Sequence, residues 1–197
     1  MAKLYFKYGA MGSSKTATCL ITKYNYEERG MRTWLIKPAA DHRDGQYTLR
    51  SRVGLTAEVE AISPERDIVQ MFSQREQRPN VILVDECQFL TEQQIDQLRE
   101  LVDFENIPVL CFGLRTDFQG HLFSGSRRLF EVADSITEIK TMCACGSKAT
   151  VNARIDSEGY VVTQGAQLLL GGNDSYTAMC HKCWVRHIRE HTPVERI

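Results

Sequence analysis

Gly9-Ala10-Met11-Gly12-Ser13-Ser14-Lys15-Thr16 follows the aromatic-rich run Leu4 to Tyr8 and leads into a helix-like stretch from about Lys15 to Arg29, closed by Gly30. A strand that passes through a glycine loop into a helix aims successive backbone N–H groups and the helix N-terminus at an anion, so the segment reads as a phosphate cradle. In that reading Lys15 contacts the β- and γ-phosphates of a nucleotide and Thr16 offers its hydroxyl to Mg²⁺. The plainer account, a small-residue turn before a helix, leaves the closing Lys-Thr pair unexplained. One position departs from the usual pattern, which has glycine before the lysine where this chain has Ser14. With a negative φ at Ser14 the loop still closes; with a positive φ the backbone costs about 1 kcal/mol and the cradle is weakened.

Working outward, Val81-Ile82-Leu83-Val84 is an unbroken apolar run of the kind buried on both faces of a parallel sheet, and Asp85-Glu86-Cys87-Gln88 follows it. An aspartate at the end of such a strand is where phosphate-loop proteins hold Mg²⁺, often through water. Glu86 beside it suits a general base, because an adjacent carboxylate can accept the proton of an attacking hydroxyl or water. Asp41-His42-Arg43, in a polar loop after a strand at Thr33 to Ile36, can bring Arg43 to the phosphoryl group. Further strands are expected at Pro108 to Phe112 and Ser135 to Lys140, and a helix at Pro64 to Phe72. Thr91 with Gln94 forms a capping box for another helix that carries Ile95, Leu98, Leu101 and Val102 on one face. Strands alternating with helices predict an α/β fold, a parallel sheet covered by helices over residues 1–141.

After Thr141 the character changes. Cys143-Ala144-Cys145 and Cys180-His181-Lys182-Cys183, separated by 34 residues, flank two β-like runs, Ala149 to Ile155 and Tyr160 to Thr163, joined by a hairpin turn at Asp156 to Gly159. Two cysteine knuckles with a hairpin between them can converge on one tetrahedral ion, and Cys143, Cys145, Cys180 and Cys183 are the expected ligands of a structural Zn²⁺. Four thiolates close the shell, so this metal is expected to be architectural, with His181 outside it and His187 and His191 on a solvated helix face. A unit of this size, residues 142–197, seldom folds without such a staple.

Composition narrows the partners. The 24 basic and 25 acidic side chains nearly balance, which gives no general affinity for nucleic acid or an anionic membrane. No apolar stretch approaches the roughly 20 residues of a membrane helix. A cytoplasmic protein acting on a small molecule is expected, and the seven cysteines then argue against a disulfide framework, since their number is odd and that compartment is reducing. Two functional classes remain open beside a kinase: a phosphate-loop ATPase whose zinc unit is an interaction module, and a non-catalytic nucleotide-binding protein whose loop is weakened at Ser14.

The order of several segments carries a closer likeness: the Gly-x-Met loop, Asp41-x-Arg43, Val84-Asp85-Glu86-Cys87-Gln88-Phe89, Gly113-Leu114-Arg115-Thr116-Asp117-Phe118, the two cysteine pairs, and Gly171-Gly172-Asn173-Asp174-Ser175-Tyr176. Along nearly its whole length the sequence resembles the type II thymidine kinases. The resemblance implies a phosphate-loop (RecA-like) domain with a zinc-stapled lasso, and transfer of the γ-phosphoryl group of Mg-ATP to the 5′-hydroxyl of thymidine. It implies that Glu86 is the base, that Asp85 and Gln88 help place metal and phosphate beside Gly9 to Thr16, and that Met11, Phe89, Leu114, Phe118 and Phe123 surround the thymine. It further implies that main-chain groups of Gln167, Leu168, Leu169, Leu170 and Gly171 meet the base edge, that Tyr176 contacts substrate, and that the protein is a homotetramer inhibited by dTTP.

Overall fold

The computed structural model describes residues 1–41, 45–167 and 175–194. Its larger sheet is parallel throughout and is built from β1 (Leu4–Tyr8), β2 (Thr33–Pro38), β5 (Glu60–Ile62), β6 (Val81–Val84), β7 (Val109–Gly113) and β8 (Ser135–Glu138), in the order β5-β2-β6-β7-β1-β8. Parallel pairing puts every carboxyl end on one edge. The loops after β1, β2, β6 and β7 therefore open on the same side, where ligands of such sheets bind.

The period of two along β6 shows why the sheet is covered on both faces. Val81 and Leu83 join a cluster with Cys19 and Leu20 of α1 (Lys15–Glu27), while Ile82 and Val84 join the cluster on the other face. That second cluster receives Ile68 and Met71 from α2 (Ile68–Ser73), Ile95, Leu98, Leu101 and Val102 from α3 (Glu92–Glu105), and Leu129 from α4 (Ser124–Val132). The capping box of α3 forms in both directions: Thr91 Oγ1 accepts from Gln94 N at 3.1 Å and Gln94 Oε1 from Thr91 N at 3.2 Å. Gly30, at φ 73°, closes the chain leaving α1 as expected.

Some elements differ from the sequence-based expectation. The helix expected from Pro64 begins at Ile68, because Asp67 caps it by accepting from Gln70 N at 2.8 Å. A hairpin of β3 (Thr48–Arg50) and β4 (Thr56–Glu58), the edge strand β5, and α4 were not anticipated. The first three are only three residues long, and the Phe123 N-cap of α4 makes no side-chain capping bond, so none carries a strong local signal.

The smaller sheet is antiparallel, β10-β9-β11, from β9 (Val151–Ile155), β10 (Val161–Val162) and β11 (Tyr176–Met179). The expected turn lies between β9 and β10, with Asp156 Oδ1 accepting from Glu158 N at 2.9 Å and Tyr160 N at 2.8 Å. Helix α5 (His181–Glu190) packs on this sheet. Its exposed and half-buried histidines, expected on a solvated face, also make contacts: His187 Nδ1 lies 3.1 Å from both Thr192 O and Thr192 Oγ1, and the exposed His191 ring stacks on Tyr160 at 4.5 Å. They lock the end of the helix onto the hairpin. Among the described residues no helix is long and apolar enough to cross a membrane.

Candidate active site

The loop after β1 is held close to its neighbours. Gly9 N donates to Gly113 O at 3.2 Å, and a Cβ on Gly9 would lie 2.3 Å from Ile139 O and 2.4 Å from Ser13 Oγ, so only glycine fits there. Ala10 O accepts from Ser13 N at 3.2 Å and from Lys15 Nζ at 2.9 Å, and Ser13 Oγ takes Lys15 Nζ at 3.3 Å. The ammonium group is thus folded onto its own loop and largely buried. Ser14 sits at φ 61°, ψ 28°, the left-handed region, and its side chain makes no capping hydrogen bond. The positive-φ case is the one realised. The loop still closes with serine, at the backbone cost of about 1 kcal/mol that such a conformation carries for an L-residue.

Across the cavity, Thr16 Oγ1 donates to Asp85 Oδ2 at 2.8 Å, joining α1 to the end of β6. Two hard oxygens side by side at a phosphate cradle are a suitable donor set for Mg²⁺. Glu86 follows at φ 51°, a second left-handed residue, which turns its side chain away from the strand line. Strain of this kind persists only where the surroundings hold it. Gln88 does so: its Nε2 donates to Glu86 Oε2 at 2.5 Å and its Oε1 accepts from Leu114 N at 3.0 Å. Gln88, expected to help place metal and phosphate, is itself anchored by Glu86 and Leu114. Gly113 makes this possible, since a Cβ there would lie 2.6 Å from Gln88 Oε1.

Met11, Gly12, Ser14, Lys15, Thr16, Glu86 and Leu114 line one cavity of about 570 Å³. Phe89 and Phe123 meet edge to face at 5.5 Å, and Phe118 is fully buried. Asp41 is buried at the end of β2, 3.5 Å from the ammonium of buried Lys37. Arg43, Leu168, Leu169, Leu170 and Gly171 lie outside the described residues. Gln167 is described: its Nε2 donates to Asp117 Oδ2 at 2.9 Å and its main-chain O accepts from Arg154 Nη2 at 3.3 Å.

Asn152 and Arg154 were missed in the sequence reading. Asn152 Oδ1 accepts from Met11 N at 2.8 Å and its Nδ2 donates to Thr116 O at 3.0 Å, so one buried carboxamide ties the phosphate loop to the loop after β7. The Arg154 guanidinium lies 3.8 Å over the Phe118 ring and donates through Nε to Tyr176 OH at 2.9 Å. Tyr176, expected to contact substrate, is oriented by this bond. The signal was present in Val151-Asn152-Ala153-Arg154-Ile155, whose strict alternation gives one polar face. All five residues are buried, so that polar face is turned to the other sheet and not to water.

The four cysteine sulfurs lie within 4.8 Å of one another, with Cys145 Sγ 3.7 Å from Cys180 Sγ. Four ligands at the usual zinc–sulfur length stand about 3.8 Å apart around a tetrahedral ion, so the set fits such a metal. The thiols influence one another strongly. Hydrogen bonds from the Ser147 hydroxyl and N–H bring Cys145 down to about 6, while Cys145 and Cys180 push Cys183 up to about 12. A bound cation resolves that conflict by stabilising all four as thiolates.

A family model described as "Thymidine kinase" matches residues 2–184. The thymidine kinase of Shewanella oneidensis is 45% identical over 192 residues, covering 96% of this chain and 98% of its own. That of Coxiella burnetii is 46% identical over 185 residues, 92% of this chain and 94% of its own, and that of Legionella pneumophila 48% identical over 183 residues, 91% and 88%. Among solved structures, the Legionella pneumophila ATPase DotB overlaps 66% of this chain and 37% of its own at 20% identity and a TM-score of 0.34, which carries no argument.

Proposed function

The chain belongs to the thymidine kinase family, and from that premise we propose how its residues share the phosphorylation of thymidine by ATP. The observation that carries the assignment is the convergence, in one cavity, of Lys15 and Thr16 from α1 with Glu86, beside the Thr16 to Asp85 hydrogen bond. Lys15 and loop amides such as those of Gly12 and Ser14 bind and orient the triphosphate, while the Gly9, Met11 and Ser13 amides fix the loop through Gly113 O, Asn152 Oδ1 and Ala10 O. Thr16 and Asp85 would hold Mg²⁺, Asp85 directly or through water. When bound, that ion neutralises phosphate charge. Glu86 accepts the proton of the thymidine 5′-hydroxyl, and Gln88 positions it. Arg43 and Asp41 serve the phosphate side.

On the nucleoside side, Met11, Leu114, Phe89, Phe118 and Phe123 supply the flat apolar surface a pyrimidine needs, and main-chain groups of residues 167–171 read its edge. Tyr176, held by Arg154, borders the sugar. The four cysteines would hold Zn²⁺, which shapes the unit from residue 142 onward and so keeps the nucleoside lid in place. By the same family resemblance we assign a homotetramer and inhibition by dTTP, with its base in the nucleoside pocket and its phosphates toward the loop. Ile21 and Tyr24, one turn apart and exposed on α1, offer apolar surface for contact between copies. The seven free thiols suit a cytoplasmic location.

The test is ADP release by metal-replete protein with and without thymidine. Thymidine-dependent release is expected; equal turnover without nucleoside would overturn the kinase assignment in favour of an ATPase.

A further inference from the structure

The cavity beside the phosphate loop is closed on its far side by a segment to which neither the motifs nor the mechanism gives a task. Leu49 to Gly54, the end of β3 and the turn toward β4, line it together with Gly12, Ser14, Lys15, Thr16 and Ala17. The charged lining residues are Lys15, Arg50 and Arg52 against Glu86 alone, in a chain whose net charge is −1. The local positive charge is therefore a property of the site and not of the composition. Arg75, Arg99, Arg127 and Arg128 are each committed to carboxylates. Among the described residues Arg50 and Arg52 have neither a carboxylate nor a carbonyl partner, and both are exposed to the cavity.

Their backbone is nevertheless fixed. At the hairpin's base, buried Lys37 donates to Gly45 O at 2.8 Å and Thr48 O at 3.1 Å. At its tip, Ser51 N donates to Leu55 O at 2.8 Å, Ser51 Oγ accepts from Leu55 N at 3.0 Å, and Gly54 N donates to Ser51 O at 3.0 Å. Leu49 and Val59 are buried with Cys19 and Leu20, which seats the hairpin on α1 itself. Leu49 and Ser51 are buried and Arg50 and Arg52 exposed, the alternation of a strand with one face turned out. Among the described residues two guanidiniums without a partner thus project from a fixed backbone into the cavity that the phosphate loop also lines. A guanidinium presents a planar fork that matches two phosphate oxygens at once.

We infer that Arg50 and Arg52 are binding residues for the triphosphate of ATP, a cationic clamp that meets the phosphate oxygens from the side opposite the phosphate loop. The inference deepens the proposed function and rests on it for the identity of the ligand. The clamp adds charge-assisted hydrogen bonds where Lys15 and the amides cannot reach, and it covers the cavity without lengthening the loop that carries Ser14.

The experiment compares wild type with Arg50→Gln, Arg52→Gln, the double variant and Arg52→Lys, measuring KM for ATP and thymidine separately, kcat, the Kd of the non-hydrolysable analogue AMP-PNP by calorimetry, and Tm. Loss of one charge-assisted contact predicts a rise of about 10- to 100-fold in KM for ATP and in the AMP-PNP Kd. KM for thymidine and Tm stay at wild-type values, and Arg52→Lys falls between. Unchanged ATP KM and AMP-PNP Kd in the double variant of an active enzyme overturns the clamp. So does an equal rise in both KM values with a lowered Tm, which marks a structural role. If wild type shows no thymidine-dependent turnover but the variants still lose AMP-PNP, the kinase assignment fails and the clamp stands.

Discussion

The six-stranded sheet buries apolar side chains on both faces, whereas the three-stranded sheet β10-β9-β11 has one cluster of seven buried residues, three of them cysteines. The first supports its own loops. Residues such as Val81 to Val84 are covered from two sides, and the side chains at their carboxyl ends are held by partners from the same sheet's own loops and helices, Thr16, Gln88 and Leu114. Among the described residues the second has the smaller cluster, and its four sulfurs, gathered within 4.8 Å, could staple it through a metal. The two nevertheless share the active site, because Asn152 and Arg154 reach from the small sheet to Met11, Thr116 and Phe118. In the proposed function, phosphate binding then depends mainly on the large sheet and nucleoside binding on the unit the four cysteines would staple.

Removing the metal breaks the comparison at its widest point. Chelation, or Cys183→Ser, is expected to abolish thymidine phosphorylation, because structural metal binding is itself the folding free energy of so small a unit. The larger sheet keeps its core, so AMP-PNP binding measured by calorimetry persists, weakened by about the 10-fold that loss of the Asn152 contact to Met11 carries. Full thymidine turnover in verified metal-free protein would show that the small sheet holds without its ion.

Within the self-supporting half, Glu86→Gln isolates chemistry from binding. The carboxamide has nearly the same shape and still accepts from Gln88 Nε2, but it cannot take the 5′-hydroxyl proton. A fall of about 10²–10⁴ in kcat is expected with KM for ATP and thymidine within a few-fold. A kcat near wild type would remove Glu86 from the role of base.

The same contrast explains what the sequence made legible. The phosphate loop, the Asp85-Glu86 pair, the α3 capping box and the four cysteines are local patterns whose spacing forces their geometry, and each stands where it was expected. Long-range polar contacts were harder. The alternation in Val151 to Ile155 was visible, but a polar face is ordinarily a wet one, and nothing in the strand says that another sheet covers it. The contact of Gln88 with Leu114 was unread for the same reason, since the two are 26 residues apart. The β3–β4 hairpin was unread because its strands are three residues long and charged.

Asn152 is the bridge that reaches the phosphate loop itself, beside those of Arg154 and Gln167 to the loop after β7, so its removal tests whether the halves act as one. Asn152→Ala leaves the Met11 N–H and Thr116 C=O unpaired, a loss of about 1–3 kcal/mol. KM is expected to rise about 10-fold for both substrates, since the carboxamide supports the phosphate loop and the nucleoside-side loop together. Asn152→Asp keeps an acceptor for Met11 N but loses the donor to Thr116 O, and should weaken thymidine more than ATP. A change in neither constant would mean that the halves meet at the site without depending on this contact.

The smallest effect belongs to Ser14, inside the phosphate loop. Its left-handed backbone disfavours any Cβ by about 1 kcal/mol or more, and its hydroxyl makes no capping bond that would offset this. Glycine relieves the strain, though it also gives the unfolded chain more freedom, so the net gain is under about 1 kcal/mol. Ser14→Gly should then raise Tm by about 1–3 °C for a chain of this size. Ser14→Ala, with the same backbone and no hydroxyl, should leave Tm unchanged. If Ser14→Gly also lowers KM for ATP, the strain opposes the loop shape that phosphate requires. If Tm rises while KM and kcat hold, the cradle already has its bound shape with serine in place, and the departure from glycine is one of stability alone.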